Sequence, residues 1–283
     1  MFTRFLAPSL WMQLHSVLYP QNPSMAVSPK WLRRSSSALD RAFVQQAKVT
    51  TEPNGEFAKV TINGETYLWP NEADVHALLT IISELTNSEH PHHYLAEQTQ
   101  ISRGDVVLDI GACEGSFSAR AAELGADVIA VEPSKIMTRI IYALFELRGL
   151  PKPTVVSTLL GPEPDDLHFI DNTQNPGASR VVSKPEEGSY PVPVTTLDAM
   201  IDSLQLEKLD FIKCDAEGAD VGILKSGRKT LERFHPKIAI TTYHNSNDYR
   251  EMFRYLSEFG YTLKGKGLLY STGEFRVIML HAW

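Results

Sequence analysis

The chain has 283 residues, 43% of them hydrophobic, with a formal net charge of −7. That length accommodates one large α/β domain with an N-terminal extension, and the acidic balance excludes the broad basic footprint of a nucleic-acid binder. There is no apolar run long enough for a transmembrane helix. Two cysteines, Cys113 and Cys214, are too few for a disulfide scaffold, and they read as reduced thiols in a cytoplasmic protein.

Residues 1–56 read as an N-terminal extension, an arm or lid, cut into short pieces by Pro8, Pro20, Pro23 and Pro29. A short helix runs from Ser37 or Asp40 through Ala47, and a homo-oligomeric contact would find its place in this extension. Met1 to Tyr19 lacks the parts of a secretory signal, and Lys30 to Arg34 is the nearest approach to a basic patch. Residues 57–103 hold a hairpin and a helix before the core. The hairpin turns at Asn63-Gly64. Asn71 is expected to cap the helix, whose apolar face carries Val75, Leu78, Leu79, Ile82 and Leu85. His90, Pro91, His92, His93 and Tyr94 follow.

From residue 104 to 283 the pattern alternates strand and helix, which implies a parallel sheet covered on both faces. Strands are expected at 106–110, 128–131, 154–158, 209–214 and 238–243, with helices at 116–124, 135–147, 197–204, 221–234 and 249–259. Short strands at 167–170, 180–183 and 190–194 form an insertion. Residues 261–263 and 275–281 close the sheet, antiparallel.

Asp109-Ile-Gly111-Ala112-Cys-Glu114-Gly115 follows a buried strand and opens a helix. Ligands of open α/β sheets sit at such strand ends, and glycine lets the backbone approach them closely. Glu132 ends the next strand, placed to take both hydroxyls of a ribose. The loop reads Gly-x-x-x-Gly, with Glu114 inside it and neither Lys nor Arg. A pyrophosphate would meet a carboxylate there, and the Gly-Lys-Ser/Thr of a phosphate loop is absent. The acidic lining suits a ribose, a sulfonium and an ammonium together, that is, S-adenosylmethionine.

The run from Gly104 to Ser118, then Val131-Glu132-Pro133, Thr196-Leu-Asp198, Asp210 to Asp220, Pro236 to His244 and Phe259-Gly-Tyr261, closely resembles the FkbM family of class I methyltransferases. The resemblance implies a Rossmann-like, seven-stranded, mostly parallel sheet over 104–283. It implies methyl transfer from S-adenosylmethionine, commonly to a hydroxyl of a sugar, lipid or secondary metabolite. Ala112, Pro133 and Ser157 complete its cofactor-binding set, with Tyr94 folding over from the preceding segment. Tyr243-His244 stands where many members have Glu.

An alcohol nucleophile needs its proton removed or its pKa lowered. Asp215 is the first choice for a catalytic or metal-binding carboxylate and His244 for general base. Alternatively Asp215, His244 and Asn245 hold Mg²⁺ or a related divalent ion. Plainer readings stand beside these. Asp215 caps a helix or holds the cofactor's ammonium, Lys213 pairs with Asp215 or Asp109, and His244 is a satisfied hydrogen-bonding residue. The acceptor is expected to be a small or glycosylated metabolite. N-methylation of a peptide, amide or amine, and a non-catalytic cofactor-binding module, are the competing functions.

Overall fold

The computed structural model describes residues 36–271 and 274–283. Residues 1–35 of the proposed arm or lid (1–56), with Lys30 to Arg34, lie outside the described residues. A helix α1 (Ser36–Gln46) leads into three strands, β1 (Val49–Asn54), β2 (Phe57–Ile62) and β3 (Glu65–Pro70), which form an antiparallel sheet in that order. The hairpin turns at Asn63 and Gly64, whose φ angles of 53° and 94° suit a two-residue turn that follows the strand twist. The sheet begins at Val49, inside the stretch read as an extension.

Helix α2 (Val75–Thr86) is capped by Asp74, whose carboxylate accepts the His76 amide at 2.9 Å. The expected cap, Asn71, instead donates to the Gly55 and Glu56 carbonyls. Val60, Ile62, Tyr67, Trp69, Leu78 and Ile82 give this small unit its own core.

Strand and helix then alternate through β4 (Val106–Ile110), α3 (Ser116–Glu123), β5 (Asp127–Val131), α4 (Lys135–Leu147) and β6 (Thr154–Val156). The insertion contributes β7 (Leu159–Leu160), β8 (Asp165–Ile170), β9 (Arg180–Val182) and β10 (Tyr190–Thr195), paired as a separate four-stranded sheet. The alternation resumes with α5 (Leu197–Ser203), β11 (Phe211–Cys214), α6 (Asp220–Ser226), α7 (Arg228–Phe234), β12 (Lys237–Thr241) and α8 (Asp248–Ser257). It closes on β13 (Leu263–Ser271) and β14 (Glu274–Ala282).

The main sheet has seven strands in the order β13-β14-β12-β11-β4-β5-β6. β14 runs antiparallel to its neighbours β12 and β13, and the pairings from β12 to β6 are parallel. This is the Rossmann-like, seven-stranded, mostly parallel architecture that the resemblance implies.

Period-two alternation divides the core. Leu108, Ile110, Ile212 and Cys214 pack with α5 to α8 on one face. Val107 and Phe211 pack with α3 and α4 on the other, where Leu68 and Tyr94 from the preceding unit join them. The strand order turns back between β4 and β11, so the crevice for a ligand lies at the carboxyl ends of these two strands. No helix of the described residues is long and apolar enough to cross a membrane.

Candidate active site

The loop after β4 is shaped by backbone contacts. The Gly111 and Ala112 amides both donate to the Val131 carbonyl at 3.1 Å. Gly111 has φ 72°, and a Cβ there would lie 2.0 Å from the Asp215 carbonyl oxygen. The loops after β4 and β11 therefore touch where a side chain would separate them. Gly115, with φ 85°, forms the N-terminal boundary of α3.

Glu132 is buried, and its two oxygens accept the amides of Cys113 and Ser134, each at 2.8 Å. Burial pushes its carboxyl up to about 7 despite those two amides. Glu114 is also buried. One oxygen accepts the Ser116 amide at 3.3 Å, while Oε2 and the buried Ser116 hydroxyl have no hydrogen-bond partner among the described residues. Buried polar atoms without partners are rare, and these two belong to the ligand loop. Ser157 lies beside this region, its hydroxyl 3.4 Å from that of Thr138, and the Pro133 carbonyl accepts the Tyr190 hydroxyl. Burial, with the charges of Glu114 and Glu132, pushes the Cys113 thiol up, so it is no thiolate nucleophile.

Asp109 is fully buried and acts on this loop from behind. Lys213 sits opposite it in the β4–β11 register and pairs with its carboxylate at 3.0 Å. The same ammonium donates to the Gly111 carbonyl at 2.6 Å. The Ser118 hydroxyl donates to the other Asp109 oxygen at 2.6 Å. Of the two partners the sequence offers Lys213, the register selects Asp109.

Asp215, just beyond β11, gathers the second group. Tyr94 donates its hydroxyl to Oδ2 at 2.8 Å, and Thr241 donates to Oδ1 at 3.1 Å. His244 Nε2 lies 3.8 Å from Oδ1 and 3.4 Å from the exposed Glu217. His244 Nδ1 is 3.2 Å from Asp220 Oδ2. Burial, the largest influence on His244, acts against its charged form, but Asp220, Glu217 and Asp215 outweigh it and hold the proton up to about 10. Near neutral pH His244 is thus a cation among carboxylates, poorly suited to the general-base role expected of it.

One further group was not singled out in the sequence. Asp220 is fully buried, accepts the Ala216 and Gly218 amides at 2.9 and 3.1 Å, and so shapes the Asp215 loop as well as holding His244. Its spacing within the Asp215-to-Asp220 motif was the available signal. His92 faces Asp215 Oδ2 at 3.6 Å and carries Glu84 on its other nitrogen at 2.9 Å.

Of the expected metal trio, Asp215 and His244 come together in one cluster with Asp220. The Asn245 side chain donates to Asp248 at 3.1 Å. Asp215, Asp220 and His244 each bring one potential ligand atom within 4.8 Å of the others. Asp220, however, is already committed to two amides and to His244. One carboxylate and one imidazolium fall short of the oxygen shell that a hard divalent cation takes, and no metal role is assigned to these residues.

The family model for the methyltransferase FkbM domain matches residues 109–263, more than half of the chain, and covers both loops. The chain belongs to the FkbM methyltransferase family. Comparison with curated protein sequences gives no match. Among solved structures, the FkbM methyltransferase from Methylobacillus flagellatus KT is 18% identical, with a TM-score of 0.49. That alignment covers 75% of this chain and 56% of the other, so the present chain spans just over half of that FkbM protein. A precorrin-6Y C5,15-methyltransferase from Geobacter metallireducens GS-15 is 16% identical, with a TM-score of 0.44, over 71% of this chain and 90% of the other. Within the FkbM frame, the glycine loop with Glu132 and the Asp215 cluster occupy adjoining strand ends, and Tyr94 reaches the second of these from outside the matched segment.

Proposed function

We propose that the protein transfers a methyl group from S-adenosylmethionine to a hydroxyl of a sugar or secondary metabolite, working in the cytoplasm. Glu132 carries the reading. A buried carboxylate at the second strand end, held by two amides, keeps lone pairs for the two hydroxyls of a ribose. The unpartnered Glu114 Oε2 and Ser116 Oγ favour a ligand with a cationic donor and disfavour a pyrophosphate. When bound, the cofactor supplies a methyl group already activated on a sulfonium.

The protein's own part is alignment and proton handling. Asp215, fixed by Tyr94 and Thr241, is the carboxylate that orients the acceptor. Calorimetry is expected to show binding of S-adenosylmethionine and none of NAD, and the reverse result overturns the reading.

Glu132 also sets a pH dependence. The free site holds a proton on this carboxyl up to about 7, whereas ribose hydroxyls donate to the ionised form. The free site therefore binds the proton more tightly than the complex does, and rising pH favours binding. Affinity for S-adenosylhomocysteine, whose sulfur is uncharged, should rise about tenfold from pH 6 to pH 8 and then level off. Glu132→Gln should bind more weakly and lose the step. A flat profile in the unsubstituted protein removes Glu132 from the ribose site.

A further inference from the structure

His92 enters the site from the segment before the core, its side chain only 8% exposed. Nδ1 lies 2.9 Å from Glu84 Oε2, while Nε2 has no hydrogen-bond partner among the described residues and points at Asp215 Oδ2, 3.6 Å away. That gap is too long for a hydrogen bond, so Nε2 is aimed at the carboxylate without being committed to it. Tyr94 and Tyr243 flank the ring, with centroids 5.4 and 5.5 Å away. Glu84 on Nδ1 selects the tautomer that leaves the Nε2 lone pair directed toward Asp215 when the ring is neutral. His244 is flanked in a similar way, with Nδ1 3.2 Å from Asp220 and Nε2 3.4 Å from the exposed Glu217, also without a hydrogen-bond partner among the described residues.

We propose that His92 is the base that takes the proton of the methyl acceptor's hydroxyl, with Glu84 as its positioning residue. The inference rests on the methyltransferase reading. His92 Nε2 receives the proton as the acceptor's O–H bond breaks. An oxygen electron pair forms the bond to the methyl carbon, and the pair of the broken C–S bond stays on sulfur. Positive charge moves from sulfur to the imidazole, so the net charge of the enclosed site is unchanged.

The same electrostatics prepare the base. In the free protein, burial opposes the charged ring, but Glu84 and then Asp215 outweigh it and raise the His92 pKa, with Lys213 acting the other way. A cationic group arriving beside Asp215 competes with the imidazolium for that carboxylate and displaces its proton. The other groups facing His92 do not take up this change. Tyr94 and Tyr243 are kept neutral chiefly by burial, and Asp109 holds Lys213 charged against its burial.

Calorimetry at pH 7 in buffers of differing ionisation enthalpy tests this without an acceptor. The probes are S-adenosylhomocysteine and sinefungin, which carries an ammonium-bearing carbon in place of the methylated sulfur. Sinefungin is expected to release more protons than S-adenosylhomocysteine, because the contribution of Glu132 is common to both and cancels. His92→Gln should keep its affinity for S-adenosylhomocysteine and lose the difference, whereas His244→Gln should retain it. Glu84→Gln, which alters a partly exposed group, should reduce it, because His92 is then partly neutral beforehand. A difference that persists in His92→Gln or is unchanged in Glu84→Gln overturns the proposal. If S-adenosylhomocysteine fails to bind the unsubstituted protein, the methyltransferase reading itself fails and this proposal with it.

Discussion

Lys213→Met is expected to lower the free energy of unfolding by about 3–5 kcal/mol, because it leaves the buried Asp109 carboxylate without its counter-charge. The ammonium also ties the Gly111 carbonyl to β11, so the glycine loop should loosen and cofactor affinity fall with stability. Adding Asp109→Asn removes the uncompensated charge while keeping an oxygen for the Ser118 hydroxyl. The double variant should therefore recover more than half of the loss. Urea unfolding of the two single variants and the double variant measures the coupling. A cost below about 1 kcal/mol for Lys213→Met would place the pair among weak surface-like interactions and refute its structural role.

Gly111→Ala should be nearly as damaging and more specific. A Cβ at this position meets the Asp215 carbonyl oxygen at 2.0 Å and its carbon at 3.0 Å. These are backbone atoms that no rotamer change can move, and φ at 72° adds left-handed strain. A loss of about 2–4 kcal/mol in stability is expected, with cofactor binding reduced at least about a hundredfold by displacement of the loop. Gly149 is the control: its φ is 63°, yet nothing lies within 4 Å of a Cβ there. Gly149→Ala should cost only about 1–2 kcal/mol of strain and leave affinity unchanged. Equal effects at the two positions would mean that the contact with Asp215 contributes nothing.

The parts legible in the sequence were those encoded locally. Gly111, Glu114, Gly115 and Glu132 stand out because strand, loop and helix follow one another within a few residues, and Asn63-Gly64 specifies its own turn. Misreadings arose where two local signals competed or a distant contact decided. Asn71 and Asp74 are both good caps one turn apart, and the Gly55 and Glu56 carbonyls draw Asn71 away. The helix expected over 221–234 is two helices. Between them, Gly227 packs so closely on Leu197 that a Cβ would lie 2.4 Å from its side chain. Lys213 had two acidic candidates, and only strand register could choose between them. The approach of His92 to Asp215 was beyond any local pattern, since the neighbouring Tyr94 contact spans 121 residues of sequence.

The antiparallel strand β14 bears on where this protein can be divided. It lies between β12 and β13 in space, yet it follows both in sequence and falls after residue 263, where the family match ends. A chain shortened to 109–263 would lose β14 and all of β13 but its first residue, leaving β12 with an unpaired, apolar edge. The same cut would remove Glu84, His92 and Tyr94 from above Asp215. The cooperative folding unit is therefore larger than the recognisable family segment at both ends, and a shortened chain should expose an aggregation-prone sheet edge instead of yielding a minimal enzyme.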